Sequence, residues 1–209
     1  MNTPNKLSLL RIILVPFVLL FLLPINIYSF ELVQWNAFIA TYGRIIAGVI
    51  FIIASLTDMA DGKIARKYNL ITNLGKFLDS LADKMLVISV LIALVDLNRI
   101  SSIFVIIIVL REFMVTGIRL VASEKGVVMA AAMIGKIKTV TQMAAIIYLL
   151  FEPLFEMIFV QILPNAAASQ ISLVIIIIGD ILFVSSVIMT IISGMDYLLK
   201  NINYFKEAS

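Results

Sequence analysis

Cysteine and histidine are both missing from the 209 residues. Without cysteine there is no disulfide, no zinc–thiolate site and no thiol nucleophile. Without histidine there is no imidazole base, no Ser–His–Asp triad and no histidine metal ligand. Charge is scarce as well: 14% of the residues are Asp, Glu, Lys or Arg, where soluble domains carry about 25%. What is abundant is apolar. Hydrophobic residues make up 62% of the chain and the mean hydropathy is +1.12. That composition excludes a soluble globular domain, and with it the collagen-like, disordered and disulfide-rich secreted classes. Acid–base or metal chemistry is left to carboxylates, of which there are seven Asp and six Glu.

A helix needs about 20 mostly apolar residues to cross a bilayer. Six runs qualify, at about 7–23, 45–64, 76–97, 101–122, 138–160 and 171–195. The expected fold class is therefore all-α: a polytopic membrane protein with six transmembrane helices, and one membrane-embedded domain over 1–209. The runs show no period-two alternation, which argues against a β-barrel. The first run carries Pro16 and Pro24, and no A-x-A-like site follows it. It reads as a retained span rather than a cleaved signal peptide.

Lysine and arginine set the orientation. With both termini cytoplasmic, one side receives Lys6, Arg11, Lys63, Arg66, Lys67, Lys76, Lys84, Arg119, Lys125, Lys136, Lys138, Lys200 and Lys206, and the other only Arg44 and Arg99. The longest connections on that second side, about 24–43 and 152–170, carry little charge beyond Glu31, Arg44, Glu152 and Glu156.

Four of the seven aspartates fall in one window, Asp58–Lys84, which is continuous with apolar spans on both sides. An ionisable group at membrane depth is costly unless paired or hydrated, so it is a functional candidate by default. Asp58 and Asp61 are three apart, and Asp79 and Asp83 are four apart, so each pair shares one helix face. If the intervening loop lets the two helices pack antiparallel, all four carboxylates converge. Unneutralised, they would repel one another strongly. Oxygen-only ligands favour Mg²⁺, Mn²⁺ or Ca²⁺, and four carboxylates suit two ions about 3.5–4 Å apart, the arrangement used for phosphoryl displacement. Gly62 and Gly75 lie close to these carboxylates and let a ligand approach the backbone. Arg66 offers a fork to a phosphate. Lys63, Lys67 and Lys76 read as interfacial charges.

The pattern D-x-x-D-G-x-x-A-R, eight residues, then G-x-x-x-D-x-x-x-D comprises Asp58, Asp61, Gly62, Ala65, Arg66, Gly75, Asp79 and Asp83. Chance would produce such a match at on the order of 10⁻¹⁰ per start site. On it, the chain resembles the CDP-alcohol phosphotransferase family, which implies a six-helix membrane fold, a homodimer, and transfer of a phosphoryl-linked group from a CDP-alcohol with release of CMP. The resemblance implies that Asp58, Asp61, Asp79 and Asp83 hold two divalent cations, Mg²⁺ or Mn²⁺. It makes Asp83 the general base as well. Gly62, Ala65, Arg66 and Gly75, with Asp58 and Asn5, would cradle the CDP moiety. Three further segments resemble the bacterial phosphatidylglycerophosphate synthases, a branch of the family: Pro4-Asn5 with Ser8 and Arg11; Arg111-Glu112-Phe113 with Val115 to Arg119; and Gly135 to Thr139. Ser80 follows Asp79 where that branch carries Pro, which bears on the local helix start.

The implied donor is CDP-diacylglycerol and the implied acceptor sn-glycerol 3-phosphate, with membrane lipid as surroundings and no nucleic acid partner. Location would be a bacterial plasma membrane, with the active site and both termini facing the cytoplasm. A cluster of Arg119, Lys136 and Lys138, with Arg111 deeper, suits a doubly charged phosphate monoester. Adjacent helix residues do not face each other, so mutual neutralisation is a poor account of Arg111 and Glu112. Asp96, Asp180 and Asp196 read as lone acids near span ends. Inositol phosphate, serine or phosphatidylglycerol are alternative acceptors for the same chemistry, and a small cation transporter is the alternative in another class.

Overall fold

Buried positions recur along these helices at alternating intervals of three and four, the spacing that keeps one helix face turned inward. The structure, a computed structural model, describes residues 3–27, 30–67, 73–124, 133–162 and 165–201. Helix α1 covers Thr3–Leu22. Two-residue strands β1 (Asn26–Ile27) and β2 (Phe30–Glu31) follow, then α2 (Val33–Phe38) and a π-helical turn, Ile39–Gly43, which runs into α3 (Arg44–Lys67). The chain continues as α4 (Asn73–Asp96), α5 (Ser102–Glu124), α6 (Met133–Ile162) and α7 (Asn165–Asn201). The strands pair antiparallel, with Asn26 opposite Glu31 and Ile27 opposite Phe30. This short ladder apart, the regular structure among the described residues is all helical.

Among the described residues, Val33–Thr57, Met133–Phe159 and Ala168–Lys200 are long and apolar enough to cross a bilayer, and Ser8–Leu22 is a shorter apolar helix. Helix α5 is interrupted by Arg111, Glu112 and Arg119. Even so, it turns Ile103, Ile106, Leu110, Phe113 and Leu120 outward, each at least 55% exposed. A surface that apolar suits lipid rather than water.

Two expected connections are structured. The segment after Pro24 holds the hairpin and α2. The Asn36 side-chain amide closes it by accepting from the Ile25 N–H at 3.0 Å. Phe21, Trp35, Phe38 and Tyr42 follow one another with ring centroids 5.6–5.9 Å apart. The stretch from Glu152, where the expected span (138–160) and the expected connection (152–170) overlap, continues α6 through Pro153 to Ile162.

Helix α1 packs against both α3 and α4, and α7 against α5 and α6. The inward face of α1 is Ser8, Arg11, Val15, Val18 and Leu22; that of α6 is Lys138, Gln142, Ala145, Leu149 and Glu152; that of α7 includes Phe183, Ser186, Thr190, Ser193 and Tyr197. Phe51 of α3, Val90, Leu91 and Leu94 of α4, Ile108 of α5 and Ile146 of α6 complete the core between them.

At the end of the helices away from the aspartate window, one carboxylate gathers four elements. Glu152 is 3% exposed. It accepts from Arg99 Nε at 2.6 Å and Arg99 Nη2 at 2.7 Å, and from Arg44 Nη2 at 2.9 Å. Arg99 Nη1 also reaches Asp180 at 2.7 Å, so Asp180 is not a lone acid. These partners hold the Arg99 guanidinium protonated, its pKa raised chiefly by the bonds to Glu152. The local chain explains each position. Helix α4 ends with Asn98 at φ 55°, where Arg99 N–H returns to Leu94 O and Asn98 N–H to Val95 O. This is the left-handed helix stop that Asn tolerates, and it delivers Arg99 directly. Pro153 has no N–H, which leaves the Leu149 carbonyl without its helical donor. Arg44 Nη2 supplies the missing hydrogen bond. Gly179 lets α7 come close: a Cβ there would stand 2.7 Å from Arg99 Nη2 and 3.1 Å from Glu152 Oε1.

Removing one partner of a buried ion pair leaves the other charge uncompensated, at a cost of about 3–5 kcal/mol. Glu152→Ala is therefore expected to destabilise the purified protein by that amount in detergent unfolding. Glu156→Ala, which loses only the bond from Ser172 at 2.7 Å, should cost under about 1.5 kcal/mol. Equal midpoints for the two variants would remove Glu152 from its anchoring role.

Candidate active site

Helices α3 and α4 both pack on α1, and Arg44 at the start of α3 meets Arg99, just past the end of α4, on Glu152. The last turns of α3, which hold Asp58 and Asp61, and the first turns of α4, which hold Asp79 and Asp83, therefore belong to the opposite end of the bundle. The side chains of Asn5, Asp58, Asp61, Ala65, Arg66 and Asp79 lie outside the described residues, as does the surroundings of Gly62. Among the described residues no three acidic groups come together. Helix α4 begins at Asn73, seven residues before Ser80, so its start does not depend on that position. Gly75 lies in its first turn, half-buried.

Asp83 is the member of the aspartate set whose side chain is described. Its carboxylate is 47% exposed and receives Arg11 Nη1, from a guanidinium only 1% exposed. Arg11 stands on the inward face of α1, one turn from Ser8, which is itself buried. A charge at that depth needs a counter-ion, and Asp83 supplies it. The contact fixes the carboxylate's orientation and pins α1 to α4. In sequence, Arg11 reads as part of the opening motif and as one of the charges that set orientation; a lone cation within an apolar run is the signal for more.

Helices α5, α6 and α7 bring a second group to the same end. Lys138, 4% exposed, donates to Glu112 Oε1. Arg111 Nη1 reaches the same oxygen at 3.2 Å, and Arg111 Nη2 donates to Ser193 Oγ at 2.5 Å. One turn on from Glu112, Thr116 returns its hydroxyl to the Glu112 carbonyl at 2.7 Å. Arg119 Nε donates to the Tyr197 hydroxyl at 3.4 Å, and its guanidinium carbon lies 5.5 Å from the centre of that ring. Lys84, beside Asp83, is near enough to act electrostatically on both Glu112 and Lys138. The two groups therefore share one field.

This arrangement corrects one expectation. Arg111 and Glu112 do meet, although they are neighbours on one helix, because both long side chains bend toward Lys138 and α7. Lys138 is a buried, paired cation rather than a marker of topology. Lys136, two residues earlier, is exposed and makes no ion pair among the described residues. Of the four basic residues expected together, Arg111 and Lys138 meet at Glu112, while Arg119 lies about two turns farther along α5, exposed and against Tyr197. Glu112, Ser193 and Tyr197 went unassigned in the sequence; a serine and a tyrosine in an apolar helix carry no signal of their own.

In a double-mutant cycle on Glu112→Gln and Lys138→Met, followed by detergent unfolding, the pair should show a coupling of about 0.5–3 kcal/mol. Strictly additive losses would mean that the contact carries no energy.

Comparison with known proteins identifies the family. The family model described as CDP-alcohol phosphatidyltransferase matches residues 1–192. The chain is 40% identical, over 210 residues, to the CDP-diacylglycerol–glycerol-3-phosphate 3-phosphatidyltransferase of Bacillus subtilis (strain 168), covering 100% of this chain and 99% of that one. It is 32% identical to the Rickettsia felis protein of the same name, over 98% of this chain and 97% of the relative. A Mycoplasma pneumoniae protein, also so named, matches at 45% identity over 49% of this chain and 45% of its own. With the family model matched along nearly its whole length, the chain belongs to the CDP-alcohol phosphatidyltransferase family.

Proposed function

We propose that this protein transfers the phosphatidyl group of CDP-diacylglycerol to sn-glycerol 3-phosphate, giving phosphatidylglycerol phosphate and CMP. The observation that supports the reading is the meeting of Arg111 and Lys138 at Glu112, with Arg119 farther along α5, toward the end of the helices that bears Asp83. A phosphate dianion is the acceptor group that such a cluster recognises. The names of the relatives support the same acceptor.

In this reading Asp83 accepts the proton of the acceptor's sn-1 hydroxyl. The oxygen so released attacks the β-phosphorus, a new O–P bond forms, and the bond to CMP breaks. Arg11 orients the Asp83 carboxylate from its buried side, leaving the exposed side toward substrate. Asn5, Gly62, Ala65, Arg66 and Gly75 seat the cytidine diphosphate. Arg111, Arg119, Lys138 and the more exposed Lys136 hold the acceptor phosphate. The chain offers only oxygen donors here, with no His or Cys, which fits a hard divalent ion. Asp58, Asp61, Asp79 and Asp83 would hold two, Mg²⁺ or Mn²⁺, and these would neutralise the diphosphate and favour departure of CMP. All six long helices cross the bilayer, with both termini and the site on the cytoplasmic side of a bacterial plasma membrane. The working form is the homodimer that the family resemblance implies.

Purified protein should release CMP from CDP-diacylglycerol when glycerol 3-phosphate and Mg²⁺ or Mn²⁺ are present, and stop when a chelator is added. Asp83→Asn should lower turnover by about 10²-fold or more, and near-normal turnover would remove its role as base. Faster CMP release with inositol phosphate, serine or phosphatidylglycerol would reassign the acceptor. Cation flux in liposomes without CMP release would replace the reading altogether.

Arg11→Lys keeps the charge but loses the fork geometry. It should lower kcat by about tenfold while leaving the acceptor KM within about twofold. An unchanged kcat would show that the guanidinium does not position Asp83.

A further inference from the structure

Helix α7 carries no residue of the family signature. Its buried face nonetheless touches both arginines of the acceptor cluster. Ser193 and Tyr197 are four residues apart, on one face of the helix, and are 4% and 6% exposed. Ser193 Oγ accepts from Arg111 Nη2 at 2.5 Å. Tyr197 offers its hydroxyl to Arg119 Nε at 3.4 Å and its ring to the guanidinium at 5.5 Å. Between them, Gly194 gives the Arg111 stem room: a Cβ there would lie 3.0 Å from Arg111 Cγ.

The contrast within α7 is informative. Ser186 and Thr190, on the same face, return their hydroxyls to backbone carbonyls at 2.7 Å, on Phe183 and Ser186. That is the usual way for an apolar helix to satisfy a hydroxyl. Ser193 receives a guanidinium instead. Tyr197 takes the Arg119 Nε–H on its hydroxyl, with the guanidinium carbon over its ring, and the two terminal Nη groups, which make no hydrogen bond among the described residues, are left for a phosphate oxygen.

We infer that Ser193 and Tyr197 are positioning residues for the acceptor phosphate: they hold Arg111 and Arg119 in their binding orientation before the substrate arrives, and so set acceptor affinity. The inference rests on the reading of those arginines as acceptor ligands. An arginine free to rotate must be ordered when it clamps a phosphate, at the expense of affinity; one already held by α7 has been ordered during folding. Ser193 and Tyr197 hold the arginines assigned to the acceptor, so the effect is expected in the acceptor's KM.

The test is steady-state kinetics on the full-length purified protein, with both substrates varied. Ser193→Ala and Tyr197→Leu should each raise the KM for glycerol 3-phosphate by about threefold to thirtyfold, with kcat and the KM for CDP-diacylglycerol within about twofold. Tyr197→Phe, which keeps the ring, should recover most of the affinity lost in Tyr197→Leu. An unmoved acceptor KM, or a fall in kcat shared by both substrates with no KM split, overturns the inference. Arg111→Ala and Arg119→Ala separate the two readings. If they leave the acceptor KM unchanged, the acceptor cluster itself is misassigned and the role of α7 falls with it. If they raise it while the α7 variants do not, only the inference about α7 fails.

Discussion

A carboxylate sealed between four elements governs how this bundle is assembled. Glu152 holds Arg99 from the α4–α5 turn and Arg44 from the start of α3, and through Arg99 it reaches Asp180 on α7. Each bond is directional, and each partner is fixed by its own local chain: a left-handed stop at Asn98, a carbonyl freed by Pro153, a missing side chain at Gly179. The cluster therefore fixes the axial rotation of α6 and α7. That setting is carried to the other end. Lys138 lies 14 residues before Glu152 on the same face of α6, and Ser193 lies 14 residues after Gly179 on α7. At a rise of 1.5 Å per residue, each is about 21 Å away. Two heptads separate the anchor from the acceptor cluster on both helices, so a rotation that satisfied one end and not the other is excluded.

Such clusters are not simply a source of stability. Taking ions out of water costs several kcal/mol each, and well-packed apolar residues of similar volume often do as well or better. What ionic pairs add is choice. Between apolar helices in lipid there is little hydrophobic preference for one rotation over another. Arg11 on Asp83, Lys138 on Glu112 and Arg99 on Glu152 each reject alternatives that would strand a charge. The same low dielectric that makes a misplaced charge expensive makes the chosen arrangement stiff, which is what a site built from long side chains requires.

Much of this was legible in the sequence. The lengths of the apolar runs located the long helices, and helical spacing together with the signature marked the four aspartates. The signal failed where a residue's surroundings, not its type, decide its role. Glu152 reads in sequence as one of the few charges of a connection, yet Pro153 is accommodated inside α6 because a guanidinium from α3 donates to the Leu149 carbonyl, 105 residues away along the chain. Arg111 and Glu112 looked incompatible as partners because helix geometry considers Cβ directions, while their reach is set by flexible stems. Helix α5 is legible from its apolar run, but the roles of its charged residues are not: Arg111 and Glu112 are partly buried while Ile106, Leu110 and Phe113 at similar depth face outward. Ser193 and Tyr197 became visible only through the contacts they make.

The scarcity of charge explains the economy of the site. With 14% charged residues and neither His nor Cys, almost every buried ion has two tasks. Arg11 balances Asp83 and fastens α1 to α4. Glu112 balances Lys138 and Arg111 and joins α5 to α6. A fully basic cluster at this depth would repel itself, and a fully neutralised one would not attract a phosphate. One acid among Arg111, Arg119 and Lys138 lies between these limits. It lets Arg111 and Lys138 sit on one carboxylate while the three cations together leave net positive charge for an incoming dianion. Helix α7 contributes what neither sign can: neutral contacts, a hydroxyl and an aromatic face, that fix where arginine points without consuming its charge.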